Sequence, residues 1–412
     1  MRTTVLFLSI AACGSPEHAA APDAPGDAAP EAPPAGVYAS CTAAAFAGVF
    51  AGEPQVQAQA AVIQTYHSTS ALGVMRTGPD LAAIFARGKV AHLNVEPAPG
   101  ELTGPMAAAI ADAIAAAPGA RLFVTFGAEM NGNWVTWGCL PAADYVARYR
   151  AFHGEVASAL DARGLDRRRV RWAYGPNSTS SASCGSAAGY YPGHAYVDVL
   201  GMSAYRAGTQ TVAQAVTQPM AQLFAALGYP AAWQRGRFVV LQTGSRAAAD
   251  RQAWITELFT TSATDARIAG TIYFDAADWA APPAMLGSAM PVVDARLDAT
   301  FLPYFWDVGC ADPGFGEIQA LRDHGITAGC ATAPTRFCPD EPLTADATAA
   351  LLARAFPGAA IPTLPSPLTE RALADALRSL GGDPPEVTEA VVTRARAAVL
   401  IARGARIDGR GL

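Results

Sequence analysis

The sequence predicts an α/β fold: a (β/α)8 barrel, the architecture also called a TIM barrel, followed by a small helical module. Three observations carry this expectation. Short β-rich runs recur at 36–40, 61–67, 90–96, 121–129, 170–177, 197–205, 238–244 and 268–275. Between them lie segments with helical period, such as MAAAIADAIAAAPGA and AADYVARYRAFHGEVASALDARG. Several of the runs end in polar or aromatic residues. Strands alternating with helices imply a parallel sheet, and eight such units are the number that closes a barrel.

The elements follow in chain order. Residues 1–12 begin with one positive charge before an apolar run that closes on small residues, the layout of a signal peptide. That run is too short to span a bilayer permanently. It ends Ile10-Ala11-Ala12-Cys13, which resembles a bacterial lipobox and marks Cys13 for lipidation; the alternative is ordinary cleavage with an unmodified thiol. Residues 13–35 are rich in Ala, Pro and Asp without apolar period, so they read as a linker that cannot offset its chain entropy. An exported protein on the cell envelope or outer surface, anchored to the membrane by lipid, is the expectation.

The next segment, 36–290, is long enough for one barrel. With 51% hydrophobic and 16% charged residues the full chain of 412 residues should bury a large core, and its net charge of -6 without a Lys/Arg-rich run gives nucleic acid no basic field to meet. A barrel builds its site from the carboxyl ends of its strands. Those tips bring Tyr66 and His67; Asn94 and Glu96; Glu129 and Asn131; Tyr174 and Asn177; Ser203 and Tyr205; Gln242; and Asp275 with Trp279. Trp134, Trp137, Tyr190 and Tyr191 lie in the adjoining loops. Aromatic faces pack on the C–H faces of sugar rings while amides and phenols orient hydroxyls, so a polysaccharide suits this lining; the plainer alternative is aromatics that cap the core. No GxSxG elbow, Walker loop or HExxH helix competes, and nothing calls for a metal or organic cofactor.

At FVTFGAEMNGNWVTWG the chain resembles the fourth strand and loop of glycoside hydrolase family 26, the β-mannanase family. The resemblance continues in order through VRWAYGPN, YYPGHAYVDVLGMSAY, VVLQTGS and AGTIYFDAADW. It implies an acid/base at Glu129, a tryptophan beside it at Trp134, a tyrosine near the nucleophile at Tyr205, and the nucleophile position itself at Gln242. Asn131, Trp134, Trp137, Tyr174, Asn177, Tyr205 and Trp279 are expected to bind β-mannan or a related β-linked polysaccharide. Two residues depart from the family pattern. Gln242 replaces a glutamate, and a neutral amide cannot attack the anomeric carbon or balance its developing charge. Ala128 stands where a histidine is expected. Three readings stay open: a sugar-binding pseudoenzyme, an enzyme pairing Glu129 with Glu96 or Asp275 through an intervening water, or a scaffold with no carbohydrate role. A non-catalytic envelope protein is the rival from another class.

Setting Cys13 aside, six of the seven cysteines remain, which in an exported chain points to disulfides. Close spacing favours Cys330 with Cys338, and Cys139 with Cys184 can join two loops; metal binding is the competing reading.

Beyond the barrel, residues 301–356 resemble an S-layer homology repeat. They carry a Phe-x-Asp-Val opening, a Gly-Ile-Thr turn, a Phe-x-Pro turn and Leu343-Thr344 before a helix. Residues 357–412 read as a degenerate second repeat and a loose tail. The resemblance implies cell-wall polysaccharide as a partner; a purely structural unit is the alternative.

Overall fold

A computed structural model describes residues 45–290, apart from 70–75, 78–79 and 98–101, and residues 305–407, apart from 306, 309–311, 313, 333 and 334. The lipobox with Cys13 and the linker therefore lie outside the described residues. Eight parallel strands form a closed barrel: β1 (Phe46–Ala51), β2 (Val62–Ser68), β3 (Val90–Glu96), β4 (Leu122–Phe126), β5 (Val170–Tyr174), β6 (Val199–Ser203), β7 (Phe238–Thr243) and β8 (Ile268–Asp275). Each pairs with the next and β1 closes onto β8, with Phe46 opposite Gly270. The helices that cross between strands include α1 (Pro54–Gln59), α2 (Leu81–Phe85), α3 (Gly104–Ala115), α4 (Ala142–Asp161), α5 (Gln218–Ala226), α6 (Ala231–Gln234), α7 (Arg251–Thr264) and α8 (Pro283–Ala289).

Seven of the expected strands appear where the β-rich runs lie. The first does not: 36–40 falls outside the described residues, and the barrel opens with β1 at 46–51. That strand, FAGVFA, has almost no β-branched residues, so its propensity is weak. Packing explains its composition. A Cβ on Gly48 would meet Val62 and Ile272 at 3.0 Å, closer than real side chains normally come.

Strand alternation sorts the core into two layers. Phe46, Val62, Val90, Phe123, Val199, Val239 and Ile272 fill the barrel interior. Outside, α4 presents Tyr145, Tyr149, Phe152, Val156 and Leu160, spaced to form one helical stripe against the strands. Two residues on from Val62, Val90 and Phe123 come Gln64, His92 and Thr125, a buried polar tier. Gln64 Nε2 lies 3.0 Å from His92 Nδ1, and His92 Nε2 lies 2.9 Å from Thr125 Oγ1. Burial pushes His92 down to about 3, so the ring stays neutral inside the barrel.

A second core lies in the carboxy-terminal segment, which holds α9 (Phe315–Asp323), α10 (Ala345–Ala355), α11 (Glu370–Ser379) and α12 (Arg394–Gly404). Three of these helices start alike. Thr344, Thr369 and Thr393 each cap a helix by accepting a backbone N–H from three residues on. The buried residues before the caps, Leu343, Leu368 and Val392, are tied together, with Leu343 N–H donating to Val392 O at 3.1 Å and Val392 N–H to Leu368 O at 3.0 Å. The expectation of a remnant and loose tail over 357–412 needs correction up to residue 407: two full helices form there and Ile407 is buried against them. VVTRARAAVLIARG repeats the helix start without the preceding Phe-x-Asp-Val, which hid it.

The helical unit docks beneath the barrel. Arg237, immediately before β7 and buried, donates from Nη2 to Phe305 O at 2.9 Å. Both favoured disulfides are present, Cys139–Cys184 and Cys330–Cys338. Asp307 lies beside the second pair, but its two oxygens accept the Phe337 and Cys338 N–H groups at 2.7 Å. The metal reading of these cysteines is therefore set aside.

Candidate functional site

The carboxyl ends of β1, β2, β3, β4, β7 and β8 surround a cleft of about 270 Å³. Its lining includes Phe50, Tyr66, Asn94, Glu96, Ala128, Glu129, Trp137, Gln242 and Phe274. One wall is aromatic: Phe50 stacks on Phe274 with centroids 4.8 Å apart, and Tyr66 meets Phe50 edge-on at 4.9 Å. Tyr205 extends that wall, lying 4.6 Å from Trp279.

Gln242 reaches the cleft because β7 is irregular. Val239 and Leu241 face the barrel interior, so strict alternation would turn Gln242 outward. The pairing slips by one residue instead: Met202 and Ser203 on β6 face Val240 and Gln242, leaving Leu241 extra. The slip recurs against β8, where Val240 and Thr243 face Thr271 and Tyr273. Such a bulge re-aims a side chain, here Gln242, into the site. Its Oε1 accepts a hydrogen bond from the Tyr205 hydroxyl at 3.2 Å. Burial and the nearby Glu129 carboxylate keep Tyr205 protonated, far above the ordinary phenol range.

Glu129 sits in the loop after β4 with φ at 60°, a left-handed backbone uncommon for a residue with a side chain. The turn is held at both ends: Glu129 N–H donates to Gly175 O and Gly132 N–H to Glu129 O, each at 2.8 Å. Trp134 Nε1 donates to Glu129 Oε2 at 2.5 Å while the ring stays 52% exposed. Trp137 Nε1 donates to Ala128 O at 2.7 Å, which fixes its face along the cleft. The Cys139–Cys184 bridge then ties this loop to the one after β5.

Three expected sugar contacts, Asn131, Asn177 and Tyr174, lie outside the cleft lining. Asn131 is fully buried, giving Nδ2 to Asn177 O at 2.9 Å and accepting Asn177 N–H on Oδ1 at 2.8 Å. It braces the β4 and β5 loops, and Asn177 is its partner in that brace, its own side chain accepting Thr179 N–H at 3.0 Å. Tyr174 is fully buried on the outer face of β5 with Trp172, against Tyr191 at 5.3 Å, while Ala173 faces the interior. Period-two alternation explains that placement. Of the proposed second carboxylates, Glu96 shares the cleft and Asp275 does not line it. Asp275 is buried and accepts Ala281 N–H at 2.6 Å. Glu96 comes from β3, next to the strand that leads to Glu129, so it flanks Glu129 and does not face it. Facing Glu129 from β7 is an amide.

Known proteins share parts of this chain. Residues 98–248 match the family model described as glycosyl hydrolase family 26. A stretch of 82 residues is 30% identical to mannan endo-1,4-beta-mannosidase of Bacillus subtilis (strain 168), covering 19% of this chain and 21% of that protein. The match thus spans about a fifth of that relative's length. Among solved structures, the YdhT protein from Bacillus subtilis is similar at 14% identity and a TM-score of 0.43, over 62% of this chain and 88% of the other. The GH26 domain of an endo-beta-mannanase/endo-beta-glucanase from Prevotella bryantii gives 12% identity and 0.43, over 61% and 89%. A modular endo-beta-1,4-mannanase from Cellulomonas fimi gives 16% and 0.41, over 65% and 73%.

Proposed function

We propose that this chain is a glycoside hydrolase family 26-like protein whose barrel binds β-mannan or a related β-linked polysaccharide and has lost efficient hydrolysis. The observation that carries this reading is Gln242, aimed into the cleft by a bulge and bonded to Tyr205, with Glu129 on the facing side. Retaining hydrolysis needs one carboxyl to protonate the leaving oxygen and a second to attack the anomeric carbon. Gln242 retains the shape of the second group without its charge or nucleophilicity. The inverting route needs a base on the face opposite Glu129, and Glu96 arises beside Glu129. The partial match to glycosyl hydrolase family 26 and the mannanase relative support the polysaccharide class.

In the same reading the protein is exported and lipid-anchored at Cys13, with the carboxy-terminal helices acting as an S-layer homology-like unit toward the envelope. The three matching Thr-capped helix starts favour that unit. The test is glycan binding together with reducing-sugar release on β-mannans and β-glucans by the purified protein. Binding without release is the expected result; release that disappears in Glu129→Gln overturns the loss of hydrolysis.

A further inference from the structure

Resting on the polysaccharide reading above, and naming its ligand more narrowly, we propose that the β3 side of the cleft is a subsite for a positively charged amino sugar. The ligand class is a β-linked glycan whose residues carry free, protonated amino groups.

Asn94 supplies the first observation. It is 1% exposed and lines the cleft, yet neither its amide nitrogen nor its amide oxygen has a hydrogen-bond partner among the described residues. Leaving both ends of a buried amide unpaired is costly, and a site that meets its ligand there recovers the loss. Its neighbours on β2 and β4, Tyr66 and Thr125, do not satisfy it: Tyr66 donates to Gln64 and Thr125 Oγ1 meets His92. The amide is therefore free to offer a donor and an acceptor together.

Charge balance supplies the second, independent observation. Glu96, two residues along β3 from Asn94 and on the same face, lines the cleft with Glu129. Glu129 has the Trp134 indole N–H, whereas the Glu96 carboxylate has no hydrogen-bond or ion-pair partner among the described residues. Burial raises Glu96 above the ordinary carboxylate range, the mark of a charge without compensation. No lysine, arginine or histidine is among the described residues that line the cleft. The nearby Arg246 stands outside, over Trp279 at 4.9 Å and 3.8 Å from Asp278.

Two carboxylates in a cleft walled by Phe50, Phe274 and Tyr66 favour a cation that can also lay an apolar ring face on those aromatics. An ammonium group on a sugar ring does both, with Asn94 taking the adjacent hydroxyl. A neutral hexose would satisfy Asn94 and leave Glu96 uncompensated.

The experiment is calorimetric titration of the full chain with a β-linked glucosamine hexamer, its fully N-acetylated counterpart and a β-mannohexaose, at low and raised salt. Glu96→Gln is run beside Asp375→Asn, which removes one charge from the exposed surface of α11, and each variant's thermal midpoint is recorded. The free-amine hexamer should bind about tenfold tighter than the neutral ones. That preference should shrink with salt, vanish in Glu96→Gln and persist in Asp375→Asn. Equal or tighter binding of a neutral hexamer overturns the inference while leaving the polysaccharide reading intact, as does a preference that survives Glu96→Gln. Failure of all three hexamers to bind overturns both. A Glu96→Gln protein that unfolds is replaced by Asn94→Ala, in which weaker binding of the free-amine hexamer is expected and unchanged binding overturns the subsite.

Discussion

The Tyr205 hydroxyl donates to Gln242 Oε1 at 3.2 Å, and that bond survives in a form that needs no charge on its acceptor. In the proposed reading, the amide oxygen occupies the position from which a carboxylate would attack. Gln242→Glu should therefore restore attack without rebuilding the cleft, because the two side chains differ by one atom and the Tyr205 bond is kept. Reducing-sugar release from a glycan that the wild type binds should rise on the order of 100-fold. A silent Gln242→Glu protein that still binds glycan would place the remaining defect at Ala128, and the double variant with Ala128→His then tests that directly.

Trp134 couples a carboxylate to an exposed ring. With half of its surface open, Trp134→Ala should leave the thermal midpoint nearly unchanged while glycan affinity drops about tenfold. Trp134→Phe separates the two roles: it should keep most of the affinity and lose only what the indole N–H contributes by fixing Glu129. Equal affinities for all three proteins would mean that the ring touches no ligand.

The two disulfides should differ in worth. Cys139–Cys184 closes a separation of 45 residues and Cys330–Cys338 one of 8. Chain entropy assigns the first about 4 kcal/mol and the second about 2.5 kcal/mol. Paired Cys→Ser variants, compared by denaturant titration, should fall in that order. The first should also weaken glycan binding, since it ties the loop that carries Trp134 and Trp137.

Acid should destabilise the barrel through His92. Its folded value is depressed to about 3, below the unfolded value of about 6.5. The unfolded chain then binds a proton that the folded one refuses, so stability is complete above about pH 6.5 and lost progressively as pH falls toward about 3. Unfolding free energy measured across that window should slope downward. His92→Gln, which keeps a hydrogen-bonding side chain without the titration, should flatten the slope after correction for its own cost in stability. An unchanged slope would assign the acid sensitivity to other groups.

Most of the barrel was legible because its strands are Val-, Ile- and Phe-rich runs at even spacing, whereas β1 was not, because close packing selects Gly and Ala over β-formers there. Glu129 and Gln242 could be placed together from their positions at strand tips. The error over Tyr174 was avoidable: Trp172 and Tyr174 share a face, and Ala173 between them is the small residue a barrel interior accepts. Asn131 was harder, since a loop asparagine can turn toward a ligand or toward a neighbouring loop, and sequence does not record which. The bulge in β7 left no local mark either; without it, alternation would have excluded Gln242.

Arg237 grips the Phe305 carbonyl at the end of the barrel where strands begin, and Ala45 enters β1 at that same end. Among the described residues, this contact and the entry into β1 thus gather on one pole, and the cleft occupies the other. A parallel barrel makes this polarity unavoidable: its strands all point the same way, like staves set in one base. A polymer lying across the open mouth therefore does not meet the Arg237–Phe305 contact, which sits at the far end of the barrel.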